Sequence, residues 1–215
     1  MDLFLKAFEY YVDNQSFFWN ATLQHLVLTS SAMGISILIA LPIGIWIAKR
    51  TKTAQIVINV FNAFRVIPSL AILFLALPYL GIGFLPSLVA LTALAIPPVL
   101  INTYTGIRGV DSFITEAATS MGMTKTQVLT QIEIPLAVPT LVTGVRIASV
   151  EVISSATLAS FIGGGGLGDF ITRGFALYNI PIMMVGALPV ALLALSSEAF
   201  WSLFLREYRN REPME

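Results

Sequence analysis

Three long stretches of this chain carry no charge, and that limits the folds open to it more than any other feature. Residues 14–48, 66–107 and 174–197 contain no Asp, Glu, Lys or Arg. A helix in water needs a polar face to meet solvent. A membrane span needs about 20 consecutive apolar residues, so these runs read as helices that cross the hydrocarbon core. The composition agrees: 56% of the 215 residues are hydrophobic and 11% are charged, against about 25% charged in an ordinary soluble domain. A cytosolic enzyme and a disordered chain are excluded on that ground. A formal net charge of zero leaves no basic footprint for nucleic acid. The chain has no Cys and a single His, His25, which excludes disulfides, thiolate chemistry and histidine-rich metal sites.

The second uncharged stretch is too long for one span and breaks at Leu77 to Gly83, a turn composition rich in Gly and Pro. The pattern predicts an all-α integral membrane protein with five transmembrane helices, at about 22–48, 54–78, 85–105, 136–161 and 181–205. Residues 1–21, which mix acids with aromatics and lack a basic signal-peptide start, are expected to form an outer interfacial segment; 206–215 form a tail. Lys49, Arg50, Lys52, Arg108, Lys125, Arg206, Arg209 and Arg211 then fall on one side, and Lys6 and Arg173 on the other. Cytoplasmic loops collect Lys and Arg, so the N-terminus is expected outside and the C-terminus inside.

The segment 106–135 is the one sizeable inner loop, and it is patterned. Asp111 is a good helix N-cap. Phe113, Ile114, Ala117, Ala118 and Met121 recur at helical spacing, and Gly122 follows where a helix commonly ends. Thr124 to Gln127 forms a capping box that opens a second short helix, which Pro135 is expected to end. A helix pair exposing Phe113, Ile114 and Met121 either docks a cytoplasmic partner or lies back on the chain's own spans.

The loop resembles a known family. Glu116-Ala117-Ala118, then Gly122, then Ile132-Glu133-Ile134-Pro135 is similar to the EAA loop of ATP-binding-cassette (ABC) importer permeases, with Ile134 where that family usually has Leu. Ile67 to Ala71, Leu80 to Gly83, Asn102 to Ile107 and Ala159 to Asp169 resemble its osmoprotectant branch, which imports glycine betaine, choline, carnitine or proline betaine. The resemblance covers roughly residues 22–200. It implies a type I ABC importer (MetI-like) transmembrane fold with cytoplasmic coupling helices, in a bacterial cytoplasmic membrane. It implies a second permease subunit, identical or paralogous, and two ATPase subunits that bind the ATP and Mg; no cofactor is expected on this chain. An extracytoplasmic binding protein would deliver the ligand. Glu116, Ala117, Ala118, Gly122, Ile132 and Pro135 would form the element that couples to the ATPases. Small Ala117 and Ala118 suit close approach, and Gly122 suits a sharp turn.

Arg65, Arg146, Glu151 and Glu198 fall within the expected spans. Charges at membrane depth face protein or water. Arg146 and Glu151 are five apart, a poor same-face spacing, so Arg65 is expected to pair with Glu151, either as a clamp between helices or as a lining of the pathway. Glu198 either snorkels or pairs with a nearby Arg. Gly163, Gly164, Gly165, Gly166 and Gly168 formally match a dinucleotide-binding pattern, but they follow a span rather than a strand. With Asp169 they are expected to form a flexible outer gate or a docking surface, and Asp169 is expected to pair with Arg173 four residues on. Gly34, Ala40, Gly44 and Ala48 make a small-residue face on the first span.

Three other functions fit the composition. The same machine could carry another small ligand, such as methionine. A self-sufficient carrier or channel lacks a detectable inverted repeat here. A membrane-embedded enzyme lacks a catalytic constellation.

Overall fold

The computed structural model describes residues 2–211, except for the side chains of 51, 52 and 211. Residues 212–215 of the expected tail lie outside the described residues. All regular structure among the described residues is helical: α1 (Asp2–Asp13), α2 (Gln15–Ala48), α3 (Thr51–Val66), α4 (Ser69–Leu80), α5 (Phe84–Arg108), α6 (Ser112–Ser120), α7 (Lys125–Val128), α8 (Ile134–Ser155), α9 (Gly168–Ala176) and α10 (Ile180–Arg211). A π-turn, Leu129–Glu133, joins α7 to α8, and a 3₁₀ turn, Leu158–Ile162, follows α8.

Among the described residues, four helical stretches are long and apolar enough to cross a membrane: Gln15–Ala48, Phe84–Arg108, Lys125–Ser155 and Ile180–Asn210. The expected single helix over 54–78 is instead two, bent by 97° between Val66 and Ser69. The cause is local. Pro68 disfavours helical geometry at the residue before it, and Ile67 is extended, with φ −74° and ψ 124°. Pro68 then opens α4 by accepting from the Ala71 and Ile72 amides. Counted as one broken span, the pair brings the total to five.

The core is a three-helix stack of α2, α5 and α8. On α2 the buried positions Leu28, Ala32, Ser36, Ala40, Gly44 and Ala48 recur every four residues, which lines them up along one helix face. A Cβ on Gly44 would stand 2.7 Å from Thr103 Cβ on α5. One residue earlier on α5, a Cβ on Gly144 of α8 would stand 2.6 Å from Asn102 Cβ. Small residues let membrane helices approach this closely, where packing rather than water drives association. Gly34 stands apart from this face: nothing lies within 4 Å of its Cβ position.

The bundle has two distinct ends. One holds the ends of α2 and α5, the α6–α7 pair, the start of α8 and the last turns of α10, where the Tyr208 hydroxyl donates to the Pro135 carbonyl at 3.1 Å; we call it the loop end. The other holds α1, the Gly81–Gly83 turn, the glycine run and α9: the glycine end. There α1 is a separate helix, broken from α2 at Asn14, and α2 begins ahead of the expected start at 22. Ala7 of α1 is buried in one cluster with Ala21, Phe170, Ile182 and Val185.

Candidate functional site

The loop end carries the patterned segment, and its caps form as the residues dictate. The Asp111 carboxylate accepts from the Phe113 amide at 2.9 Å and starts α6. Gly122, at φ +89°, ends it. The Met123 amide reaches back to the Ala118 carbonyl and the Gly122 amide to Thr119, the bond pair of a left-handed helix stop. Thr124 and Gln127 exchange the capping-box bonds that open α7. Glu116, Ala117 and Gly122 are exposed, Ala118 is buried, and Ile132 and Pro135 are half-buried. Phe113, Ile114 and Met121 all face outward, with Phe113 and Met121 close to 80% exposed (79% and 78%).

Pro135 does not end the second short helix. Lys125–Ser155 runs as one helix through the π-turn. An α-helix would drive the proline ring into the carbonyl of Gln131, four residues earlier. The wider π-turn, in which the Ile134 amide bonds to Leu129, lies immediately before it, and a π-bulge of this kind inserts one residue and relaxes the ladder. Thus α7 is the direct extension of α8, not a separate loop helix.

Two residues at this joint carry no role in the sequence reading. Glu133, the last residue of the π-turn, is buried and forms an ion pair with Lys49, just past the end of α2. Sequence reasoning counted Lys49 only as a loop cation. The signal open to sequence reasoning is that Lys49 ends one expected span and Glu133 precedes another at the same end of the bundle. The pair lies in the wall of a cleft of ≈ 770 Å³ that Glu116, Lys125 and Val128 also line.

The intramembrane charges pair only partly as expected: Glu198 does meet an Arg, but Arg65 and Glu151 form no ion pair. Arg146 on α8 forms an ion pair with Glu198 on α10, the partner that the poor Arg146–Glu151 spacing left open. Arg65 and Glu151 make no direct ion pair, although Arg65 acts on Glu151 electrostatically. Arg65 lies in the last turn of α3, beside the Pro68 bend, not midway along a straight span.

At the glycine end the run is packed, not loose. Gly163, Gly165 and Gly166 have φ of +75°, +73° and +86°, values open to glycine at little cost. A Cβ on Gly164 would stand 2.2 Å from Ser87 Oγ, and one on Gly168 2.1 Å from the Thr157 carbonyl. The Gly166 amide donates to Gln24 Oε1 at 3.3 Å, and the Gly83 amide to the Ile162 carbonyl at 2.7 Å. Next to it, His25 Nε2 donates to the Ile153 carbonyl at 3.1 Å and joins α2 to α8. Asp169 and Arg173 share α9 but make no direct ion pair. The Arg173 guanidinium instead meets the Tyr10 hydroxyl at 3.5 Å and lies 5.8 Å from the Phe17 ring centre. Burial raises the Asp169 carboxyl above its ordinary value, and the Arg173 charge offsets part of that rise.

The chain is thus a bundle of membrane-spanning helices in which one span extends into a short helix at the loop end. A family model described as the binding-protein-dependent transport system inner membrane component matches residues 40–210. The chain belongs to that family, and is a multi-pass inner-membrane permease component, not an enzyme. It is 44% identical over 188 residues to the carnitine transport permease protein OpuCB of Listeria monocytogenes, covering 87% of this chain and 85% of that one. It is 42% identical to the glycine betaine/carnitine/choline transport system permease protein OpuCB of Bacillus subtilis (strain 168), covering 80% and 79%. Its fold is like that of the inward-facing MetNI methionine ABC transporter, with a TM-score of 0.82 at 21% identity over 90% of this chain and 97% of that one.

Proposed function

We propose that the chain is the transmembrane permease subunit of an ATP-driven ABC importer for a small quaternary-ammonium osmolyte, such as carnitine, glycine betaine or choline. The likeness to permeases named for those solutes, over most of the chain, carries the reading. The likeness to a methionine transporter supports the fold and leaves the solute open.

Here the bundle has five spans, with the glycine end outside and the loop end in the cytoplasm. Lys49, Arg50, Arg108, Lys125, Arg206 and Arg209 gather at the loop end, against Lys6 and Arg173 at the other, and positive loops stay inside. α1 then lies at the outer interface. The exposed Glu116, Ala117 and Gly122 dock in an ATPase subunit, with buried Ala118 behind them and Ile132 and Pro135 at the root of the docking pair. ATP and Mg bind on two such ATPase subunits. A second permease subunit completes the pathway, and the exposed apolar residues of the α3–α4 region, Val66, Leu75, Tyr79 and Ile82, are a suitable surface for it. An extracytoplasmic binding protein delivers the solute to the glycine end. There Gly163, Gly164, Gly165, Gly166, Gly168 and Asp169 form a packed gate. Arg65 and Glu151, which make no ion pair among the described residues, line the pathway.

Proteoliposomes test this directly. With the chain, its ATPase and a loaded binding protein, radiolabelled carnitine enters only when ATP is present. Uptake by the chain alone would refute an importer subunit in favour of a self-sufficient carrier.

A further inference from the structure

The α2 and α8 helices are tied at both ends. At the glycine end His25 Nε2 holds the Ile153 carbonyl; at the loop end Lys49 holds Glu133. Glu133 sits in the π-turn, the one irregular joint in the helix Lys125–Ser155. A π-turn is where a long helix has the poorest ladder, so displacement of α7 would be absorbed there unless something braces the joint. The brace has unequal partners: the Glu133 side chain is 10% exposed and that of Lys49 45%. A carboxylate so enclosed needs its counter-charge, and losing one partner leaves the other stranded. Around the same point Ala48, Ile107 and Ala137 form a small apolar cluster, and Tyr208 holds the Pro135 carbonyl.

We propose that Lys49 and Glu133 are positioning residues for transport: their ion pair braces the π-turn so that α2 and α8 move as one body when α6 and α7 are displaced. The proposal rests on the reading that α6 and α7 dock in an ATPase. Push on α7 passes along α8 and, through the brace, into α2, which packs on α5. Without the brace the π-turn flexes, and α7 moves while the bundle stays behind. ATP is then hydrolysed without solute transfer.

The test uses the assembled importer in proteoliposomes, with radiolabelled carnitine and the binding protein. Lys49→Arg keeps the charge. The double variant Lys49→Met with Glu133→Gln removes both charges and strands neither, so folding is retained. Lys49→Arg is expected to move as much carnitine per ATP as the parent, and the double variant about tenfold less, within the usual range of coupling between sites. Equal yield per ATP in the double variant, or loss in Lys49→Arg, overturns the brace. A second measurement needs no solute. The chain has no Cys, so spin labels at Leu38→Cys on α2 and Thr126→Cys on α7 report the separation across the π-turn cleanly. That separation stays constant on ATP addition in the parent and shifts in the double variant; a shift in the parent overturns the proposal. Docking is checked separately, by co-purification of the ATPase with Glu116→Lys and Gly122→Val chains. An ATPase that stays bound to both refutes docking at α6 and α7 and leaves the spin-label result to judge the brace.

Discussion

At the scale of single residues, three glycines in helices give three different expectations. Gly44 and Gly144 hold α2 and α8 against α5, where a Cβ would press on Thr103 and Asn102. Gly34 faces open space. Overpacking a tight contact costs roughly 1–3 kcal/mol, so Gly44→Ala and Gly144→Ala each lower the unfolding midpoint in detergent, while Gly34→Ala does not. Equal shifts in all three would mean that the stack is not close-packed. Asp169 supplies a second residue-level expectation. Its folded value is raised from 3.8 by burial, less the effect of Arg173. A raised folded value gives a contribution that is complete below the unfolded value and is lost as pH rises through the folded one. Stability therefore falls as pH rises from 3.8, and Asp169→Asn flattens that part of the profile, as midpoints measured across the acid range will show.

At the scale of elements, helix joints matter more than helix interiors. Pro68 breaks one span and Pro135 is absorbed in another, although both follow isoleucine. The difference lies in what surrounds them. Ile67 is released into extended geometry at a sharp bend, whereas Ile134 is held helical by the π-turn before it. The second tie between elements is Arg146–Glu198, which joins α8 to α10. Removing one partner leaves a lone charge beside lipid, and removing both does not. Glu198→Gln is expected to lower the unfolding midpoint more than the combined Arg146→Met and Glu198→Gln variant. If the double variant is the less stable of the two, the pair is not a clamp. Charge-neutral Arg65 and Glu151 variants, by contrast, are expected to change carnitine uptake with little change in midpoint, since neither makes a direct pair.

At the scale of the whole molecule, the two ends do different work. In the proposed function the loop end, where Phe113 and Met121 are exposed, meets the ATPase, and the Lys49–Glu133 pair stiffens the connection behind it. The glycine end packs Gly164, Gly165 and Gly168 against Ser87, Gln24 and Thr157. This division yields a test of orientation. A lone cysteine at Gly122 is expected to react with an impermeant thiol reagent only in broken cells, and one at the exposed Tyr178 in intact cells too. Reaction at Gly122 in intact cells would invert the proposed topology.

Much of this was legible in the residues. The uncharged runs, the Asp111 cap, the Gly122 stop and the Thr124–Gln127 box depend on a few neighbours along the chain or on solvent, so composition and spacing suffice to find them. The partners of charged residues were not legible: Arg65 was expected to meet Glu151, and the structure pairs Arg146 with Glu198 and Lys49 with Glu133. Nor was the packing of the glycine run, which read as flexible, because its neighbours come from α2, α5 and the turn after α8. Local backbone preference and burial in lipid are properties of segments, and the sequence alone determined them. Which side chains meet across 52 or 84 residues of chain depends on helix rotation, bend and crossing, and only the tertiary structure decided it.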